Sequence, residues 1–155
     1  GMLPIMKEEA QLLSGDKRHR IVIDCRTDAR LYGAERELYS AFNNIVTNAV
    51  RYTRAEGTIE IRWDSDEAGA RFSVTDSGIG IAPQHIPRIT ERFYRADPAR
   101  SRQSGGTGLG LAIVKHVLNR HDGRLEISSE PGKGSTFTCI FPPGRIVRQD
   151  DSAAG

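Results

Sequence analysis

Residues 38–53, LYSAFNNIVTNAVRYT, constrain this chain more than any other stretch. Leu38, Phe42, Ile45, Ala49 and Tyr52 recur at spacings of four, three, four and three, which marks an amphipathic helix turned towards a core. Asn44, Asn48 and Arg51 form a second stripe on the other side of the same helix. Two carboxamides and a guanidinium in line offer hard oxygens and a cation, which suits a hydrated Mg²⁺ and the phosphates it bridges. A solvated polar face explains a lone Asn-x-x-x-Asn pair equally well, so the choice rests on the remaining sequence.

Around this helix the pattern is that of a mixed α+β domain. Residues 2–13 carry Leu3, Met6, Ala10 and Leu13 at helical spacing, with Pro4 in the first turn, and predict one or two helical turns. Ser14-Gly15-Asp16 ends them. Short strands are expected at 21–23 and 31–32, then the long helix from about 35. Ile59, Ile61 and Trp63 alternate in one strand and Phe72 and Val74 in the next, a hairpin joined by a polar turn. A helix over 109–121 and strands at 125–128 and 136–141 close the pattern. Between them, residues 81–105 have no periodicity and hold Arg88, Arg92, Arg95, Arg100, Arg102 and the pair Phe93-Tyr94. A loop of that length in a compact domain is a functional one or a disordered one. The expected architecture is a two-layer sandwich, a mixed and mostly antiparallel sheet covered on one face by helices. Its expected divisions are a joining helix at 1–15, a domain at 16–143 with a lid over 81–108, and a flexible polar tail at 144–155.

Composition excludes several functions. The 155 residues suffice for one domain with a core. A net charge of +2, without basic residues interleaved with aromatics, gives no basis for nucleic-acid binding. Cys25 and Cys139 lack metal-ligand spacing and are expected to be buried, reduced thiols in a cytoplasmic protein. No apolar run approaches the ~20 residues of a membrane span. Gly1-Met2 reads as an expression scar, so a piece of a longer protein is expected.

Three glycine-rich features follow the long helix. Asp76-Ser77-Gly78-Ile79-Gly80 ends a strand, placing a carboxylate at a sheet edge. An ionised carboxylate only accepts hydrogen bonds, so it suits an exocyclic amine such as adenine N6; glycines there let backbone approach a flat ring. Ordinary turn chemistry competes with that reading. Gly105-Gly106-Thr107-Gly108-Leu109-Gly110-Leu111 runs into a helix and leaves N–H donors for an anion, unless it is only a hinge. Neither this run nor Gly132-Lys133-Gly134 has dinucleotide or P-loop spacing.

In this order the Asn helix, the Asp-x-Gly-x-Gly strand end, the aromatic-arginine loop and the Gly-rich helix start resemble the N, G1, F and G2 boxes of the histidine kinase ATP-binding domain. The resemblance covers roughly residues 20–142 and implies the Bergerat-type fold shared with gyrase B, Hsp90 and MutL. ERFYRAD, SRQSGGTGLGLAIVKH and IAPQHIPRIT look, more narrowly, like the phosphate-regulon branch of sensor kinases.

The resemblance implies ATP and Mg²⁺ as ligands, with Asn48 on the metal and Asn44 supporting metal or phosphates. It implies phosphate contact by Arg51, a nucleotide-flanking role for Tyr52 in tension with its place on the core stripe, and adenine recognition by Asp76. Gly78, Gly80 and Ile81 would shape the pocket, and Thr136 would help Asp76 through water. Phe93 and Tyr94 would anchor the lid, Arg95 would reach phosphates or a partner domain, and Gly106, Thr107, Gly108, Leu109, Gly110 and Leu111 would supply hinge and phosphate donors. It further implies a homodimeric inner-membrane parent, with a dimerisation domain carrying the acceptor histidine and a response-regulator receiver domain as partners.

The acceptor is not expected in this chain. His19, His85, His116 and His121 lack the sequence context of a kinase H-box, and His116 and His121 read as surface or capping residues of a helix. Hydrolytic relatives carry a glutamate one turn before the metal-binding asparagine, where this chain has Asn44. An amide cannot serve as general base, which argues against a gyrase- or Hsp90-like ATPase module. A nucleotide-binding module without catalysis is the remaining alternative.

Overall fold

The structure is a computed structural model that describes residues 2–27, 29–81, 86 and 110–147. Helix α1 (Met2–Ser14) is longer than the one or two turns expected. It leads through a 3₁₀ turn at Gly15–Lys17 to strand β1 (Arg20–Cys25). Strand β2 (Arg30–Leu31) precedes α2 (Glu35–Tyr52), and β3 (Thr58–Asp66) and β4 (Gly69–Asp76) form the expected hairpin. Helix α3 (Gly110–Arg120), β5 (Arg124–Glu130) and β6 (Gly134–Phe141) follow, then β7 (Ile146–Val147).

The main sheet has the order β1-β3-β4-β6-β5, with β1 parallel to β3 and every other pairing antiparallel. Strict alternation sets its inner face. Ile59, Ile61 and Trp63 of β3, Phe72 and Val74 of β4, and Phe137, Cys139 and Phe141 of β6 are buried. The expected stripe of α2 meets that face through Leu38, Phe42, Ile45 and Ala49. Phe42 stacks on Phe72 at 4.2 Å between ring centroids and meets Phe141 edge-on at 6.0 Å. Burying rings of this size contributes about 2–3 kcal/mol each, so the stripe fixes which way α2 faces. Tyr52, the last member of that stripe and the last residue of α2, is only half-buried.

Two expectations are corrected. Residues 144–147, the described part of the expected tail, are ordered into a turn and a strand, while 148–155 lie outside the described residues. Ile146 and Val147 pair with Leu31 and Arg30, and Tyr32 N–H donates to Arg145 O at 2.7 Å. Two β-branched residues, hidden in the sequence among polar neighbours, find an edge to pair with and carry Ile146 onto the core. The thiols also differ. Cys139 is buried, and that burial pushes its thiol well above the ordinary value, whereas Cys25 ends edge strand β1 and is exposed. No helix of the described residues is long and apolar enough to cross a membrane.

Candidate functional site

The end of β4 builds one pole of the site. Asp76 continues the inward parity of Phe72 and Val74, so its carboxylate is buried where the hydrophobic face runs out. Oδ1 accepts Gly78 N–H at 2.9 Å, and the Ser135 N–H also bonds the carboxylate. Burial pushes Asp76 above the usual carboxylate range, and these two N–H donors only partly offset it. A desolvated acceptor at a sheet end is a reader of an N–H or amine donor.

The loop beyond it is fastened on several sides. Ser77 N–H donates to Thr58 O and Ile79 N–H to Tyr52 O, while Ile79 O accepts Gly132 N–H and Ile81 N–H donates to Ser129 Oγ. Two glycines are required by this closeness. A Cβ on Gly78 would lie 2.3 Å from Tyr52 O. Gly80 has φ +74°, and a Cβ there would lie 2.2 Å from Glu130 O. Tyr52 thus serves this loop through its backbone carbonyl, whatever its ring touches. Ile81 leans on the hydrophobic core.

Thr136 does not stand beside Asp76. Asp76 is in register with Ser135, and Thr136 pairs with Thr75, their hydroxyls 3.1 Å apart on the outer face of the sheet. Ser135 is the buried neighbour. Its hydroxyl lies 2.8 Å from Ser129 Oγ, the atom that receives Ile81 N–H. Period-2 parity carries that information in the sequence: Ser135 shares a face with Phe137, Cys139 and Phe141, and Thr136 with Thr138 and Ile140.

The second pole is the polar stripe of α2. Asn44, Asn48 and Arg51 are all half-buried on the helix. Asn44 Nδ2 donates to Ser40 O at 2.8 Å, which orients the amide so that Oδ1 is presented outward. That oxygen faces the first turn of α3: a Cβ on Gly110 would lie 3.1 Å from it. Gly110 therefore begins α3 with its bare backbone against the asparagine stripe, and Leu111 packs on the core. Phe93, Tyr94, Arg95, Gly106, Thr107, Gly108 and Leu109, with the lid over 82–108, lie outside the described residues apart from Ile86.

Both histidines nearest the ends of α2 are buried, and of the surface or capping roles expected for His121 only the capping one fits. His19 Nε2 lies 2.8 Å from Thr53 O at the C-terminal end, where Lys17 Nζ also donates to Arg51 O at 3.2 Å. His121 stands at the N-terminal end. Glycine 33 leaves room for its ring: a Cβ there would lie 2.3 Å from His121 Cδ2. A cavity of about 810 Å³ opens at the opposite end of the sheet from Asp76, between Ile23, Leu38, Phe42, Trp63 and Phe72. It contains none of the site residues.

The donor set fits an adenine nucleotide. It offers a buried acceptor beside a glycine-rich loop, carboxamide oxygens and a guanidinium on one face of α2, and the start of α3 against Asn44. Among the described residues no group of three or more His, Cys, Asp or Glu could hold a metal by itself. Residues 33–145 match the family of histidine kinase-, DNA gyrase B- and HSP90-like ATPases. The chain belongs to this family. It is 57% identical over 152 residues to the phosphate regulon sensor protein PhoR of Pseudomonas aeruginosa, covering 98% of this chain and 34% of that protein. It is 46% identical over 143 residues to the sensor-like histidine kinase SenX3 of Mycobacterium tuberculosis, covering 86% and 35%. Its fold matches the mycobacterial sensor histidine kinase MprB with a TM-score of 0.76 at 28% identity, covering 90% of each chain. Full-length ShkA in complex with AMPPNP matches at 0.75 and 28%, covering 92% of this chain and 30% of that one. The chain spans about a third of the length of these curated relatives. They are sensor kinases, which sets the domain in the histidine-kinase branch of the family rather than beside gyrase or Hsp90.

Proposed function

We propose that this domain binds Mg-ATP and presents the γ-phosphate to a histidine on a dimerisation domain of the same protein, within a sensor kinase responsive to phosphate starvation. The single observation that carries the reading is the buried Asp76 carboxylate beside the tightly packed Gly78–Gly80 loop, together with the Asn44–Asn48–Arg51 stripe of α2.

Phosphoryl transfer asks the protein mainly for position and charge neutralisation. In this reading Asp76 accepts the adenine amine, and Gly78 lets the loop beside it close against Tyr52 O. Asn48 and Asn44 supply amide oxygens to the cation, and Arg51 neutralises phosphate charge. Asn48 and Asn44 would hold magnesium, which when bound would supply positive charge against that developing on the phosphates. Gly110 brings the first N–H groups of α3 to the same phosphates. No carboxylate replaces Asn44 to activate water, so phosphate is kept for the histidine rather than hydrolysed. The acceptor-bearing domain, a homodimeric membrane-bound parent and a response-regulator receiver domain complete the proposal.

The test supplies the acceptor. This chain is incubated with Mg-ATP and the dimerisation domain of the Pseudomonas relative. The expected product is an acid-labile, base-stable phosphohistidine, with little free phosphate when the acceptor is omitted. Rapid ATP hydrolysis without the acceptor, and no phosphohistidine with it, would contradict the proposal.

A further inference from the structure

His121 follows the last turn of α3 and is 3% exposed. Its Nδ1 lies 2.8 Å from Val117 O, and its Nε2 accepts the backbone N–H of Ala34 at 3.0 Å. An N–H can only donate, so Nε2 carries the lone pair and Nδ1 carries the proton. Ala34 is the N-cap of α2 and has no side-chain cap of its own. The imidazole therefore satisfies an orphan donor at the start of α2 from the end of α3. Gly33 permits this, since any side chain there would strike the ring.

The two helices run antiparallel. Their other point of approach lies about ten residues further along α2, or some 15 Å at 1.5 Å per residue, where Asn44 Oδ1 faces Gly110. Helix faces packed by apolar side chains tolerate small sliding motions, whereas a hydrogen bond to a fixed backbone N–H sets one register.

We infer that His121 is a positioning residue for the phosphate end of the nucleotide site: by tying the end of α3 to the start of α2 it fixes where Gly110 and the first N–H groups of α3 stand against Asn44 and Asn48. The inference rests on the nucleotide reading above and adds a residue that touches neither nucleotide nor metal. Asp76, built on the sheet, lies outside its reach. The charged groups on the surrounding elements are Glu35, Arg36 and Glu37 of α2, Arg120, Asp122 and Arg124 beside His121 in the chain, and Arg145. Of these, Glu37 pairs with Arg120 at 2.7 Å and Asp122 with Arg145 at 3.1 Å.

Two substitutions separate the ring's two bonds. His121→Asn keeps a donor for Val117 O and removes the acceptor for Ala34; His121→Gln can place a carbonyl where Nε2 stood. Each is titrated with adenosine and with Mg-bound AMPPNP. The expected result for the Asn variant is about fivefold weaker AMPPNP binding, the equivalent of one ordinary hydrogen bond, with adenosine unchanged within about twofold. The Gln variant should recover most of that loss. Equal weakening of both ligands, or no change in the ratio with substitution, would overturn the role of His121. Native chain that binds neither ligand would overturn the nucleotide reading itself, and this inference with it.

Discussion

The two poles of the site are held by different physics. The adenine pole is built on the sheet: Asp76 and Ser135 are register partners, and the loop beyond is bonded to Thr58, Tyr52, Ser129 and Gly132. Its geometry follows from backbone hydrogen bonds that few single side-chain changes can move. The phosphate pole is built between two helices, from one stripe of α2 and the start of α3, and depends on how those helices pack. Under the proposed function, a nucleotide spanning both poles would meet a fixed reader of the base and an adjustable reader of the phosphates, which would suit transfer to a separate domain.

The contrast can be broken most severely at Gly80. Alanine there combines a positive φ with a clash against the Glu130 carbonyl, and the expected loss is roughly 2–4 kcal/mol of stability, read from denaturant unfolding. A change below about 0.5 kcal/mol would mean the sheet-built pole is softer than described.

At the helical pole Asn48→Ala should weaken Mg-bound AMPPNP about tenfold, as expected for losing a ligand to a charged group. Adenosine affinity should stay constant. Calorimetry with both ligands checks this, and equal losses would place Asn48 in the fold rather than at the phosphates.

Acidity should separate the poles without mutation. Burial raises the Asp76 carboxyl in the folded chain above its unfolded value, so the folded state holds that proton more tightly. Its contribution to stability therefore grows as pH falls through the folded value towards the unfolded one, while adenosine affinity falls because the protonated acid loses acceptor capacity. Asp66 behaves oppositely. Its bonds to Arg71 lower its value, giving stability that is lost on acidification. Comparing native chain with Asp76→Asn cancels Asp66, and the difference in unfolding midpoint should shift in favour of the native chain at acid pH. An unchanged difference would contradict the burial assigned to Asp76.

The smallest effect is expected at Thr136. Valine there removes only an outer-face hydroxyl bonded to Thr75, and nucleotide affinity should stay within about twofold. A large loss would restore Thr136 to the adenine site in place of Ser135.

Much of this was legible before any coordinates. The alternation of Ile59, Ile61, Trp63, Phe72 and Val74 and the stripe from Leu38 to Ala49 state directly which faces meet, because burial rewards those periods. Asp76 was legible for the same reason: it falls on the inward parity of a strand that ends in glycine. Thr136 was misplaced because a hydroxyl-rich run, Ser135-Thr136, hides its parity unless it is counted from Phe137. The role of His121 was not legible. The sequence shows a histidine at a helix end, but its partner is a backbone N–H 87 residues away, and no side-chain pattern marks a backbone donor. The β2–β7 ribbon was missed because two-residue strands carry no period.

The central claim is that Asp76 reads an adenine amine and the nucleotide spans both poles. Calorimetric titration of the native chain with Mg-bound AMPPNP, beside Asp76→Asn, tests it most directly. The account predicts one-site binding by the native chain and a loss of about 10- to 100-fold in the variant, the range of a hydrogen bond to a charged group, with stability retained because the amide can still accept Gly78 N–H. Equal affinity in the two chains would contradict it.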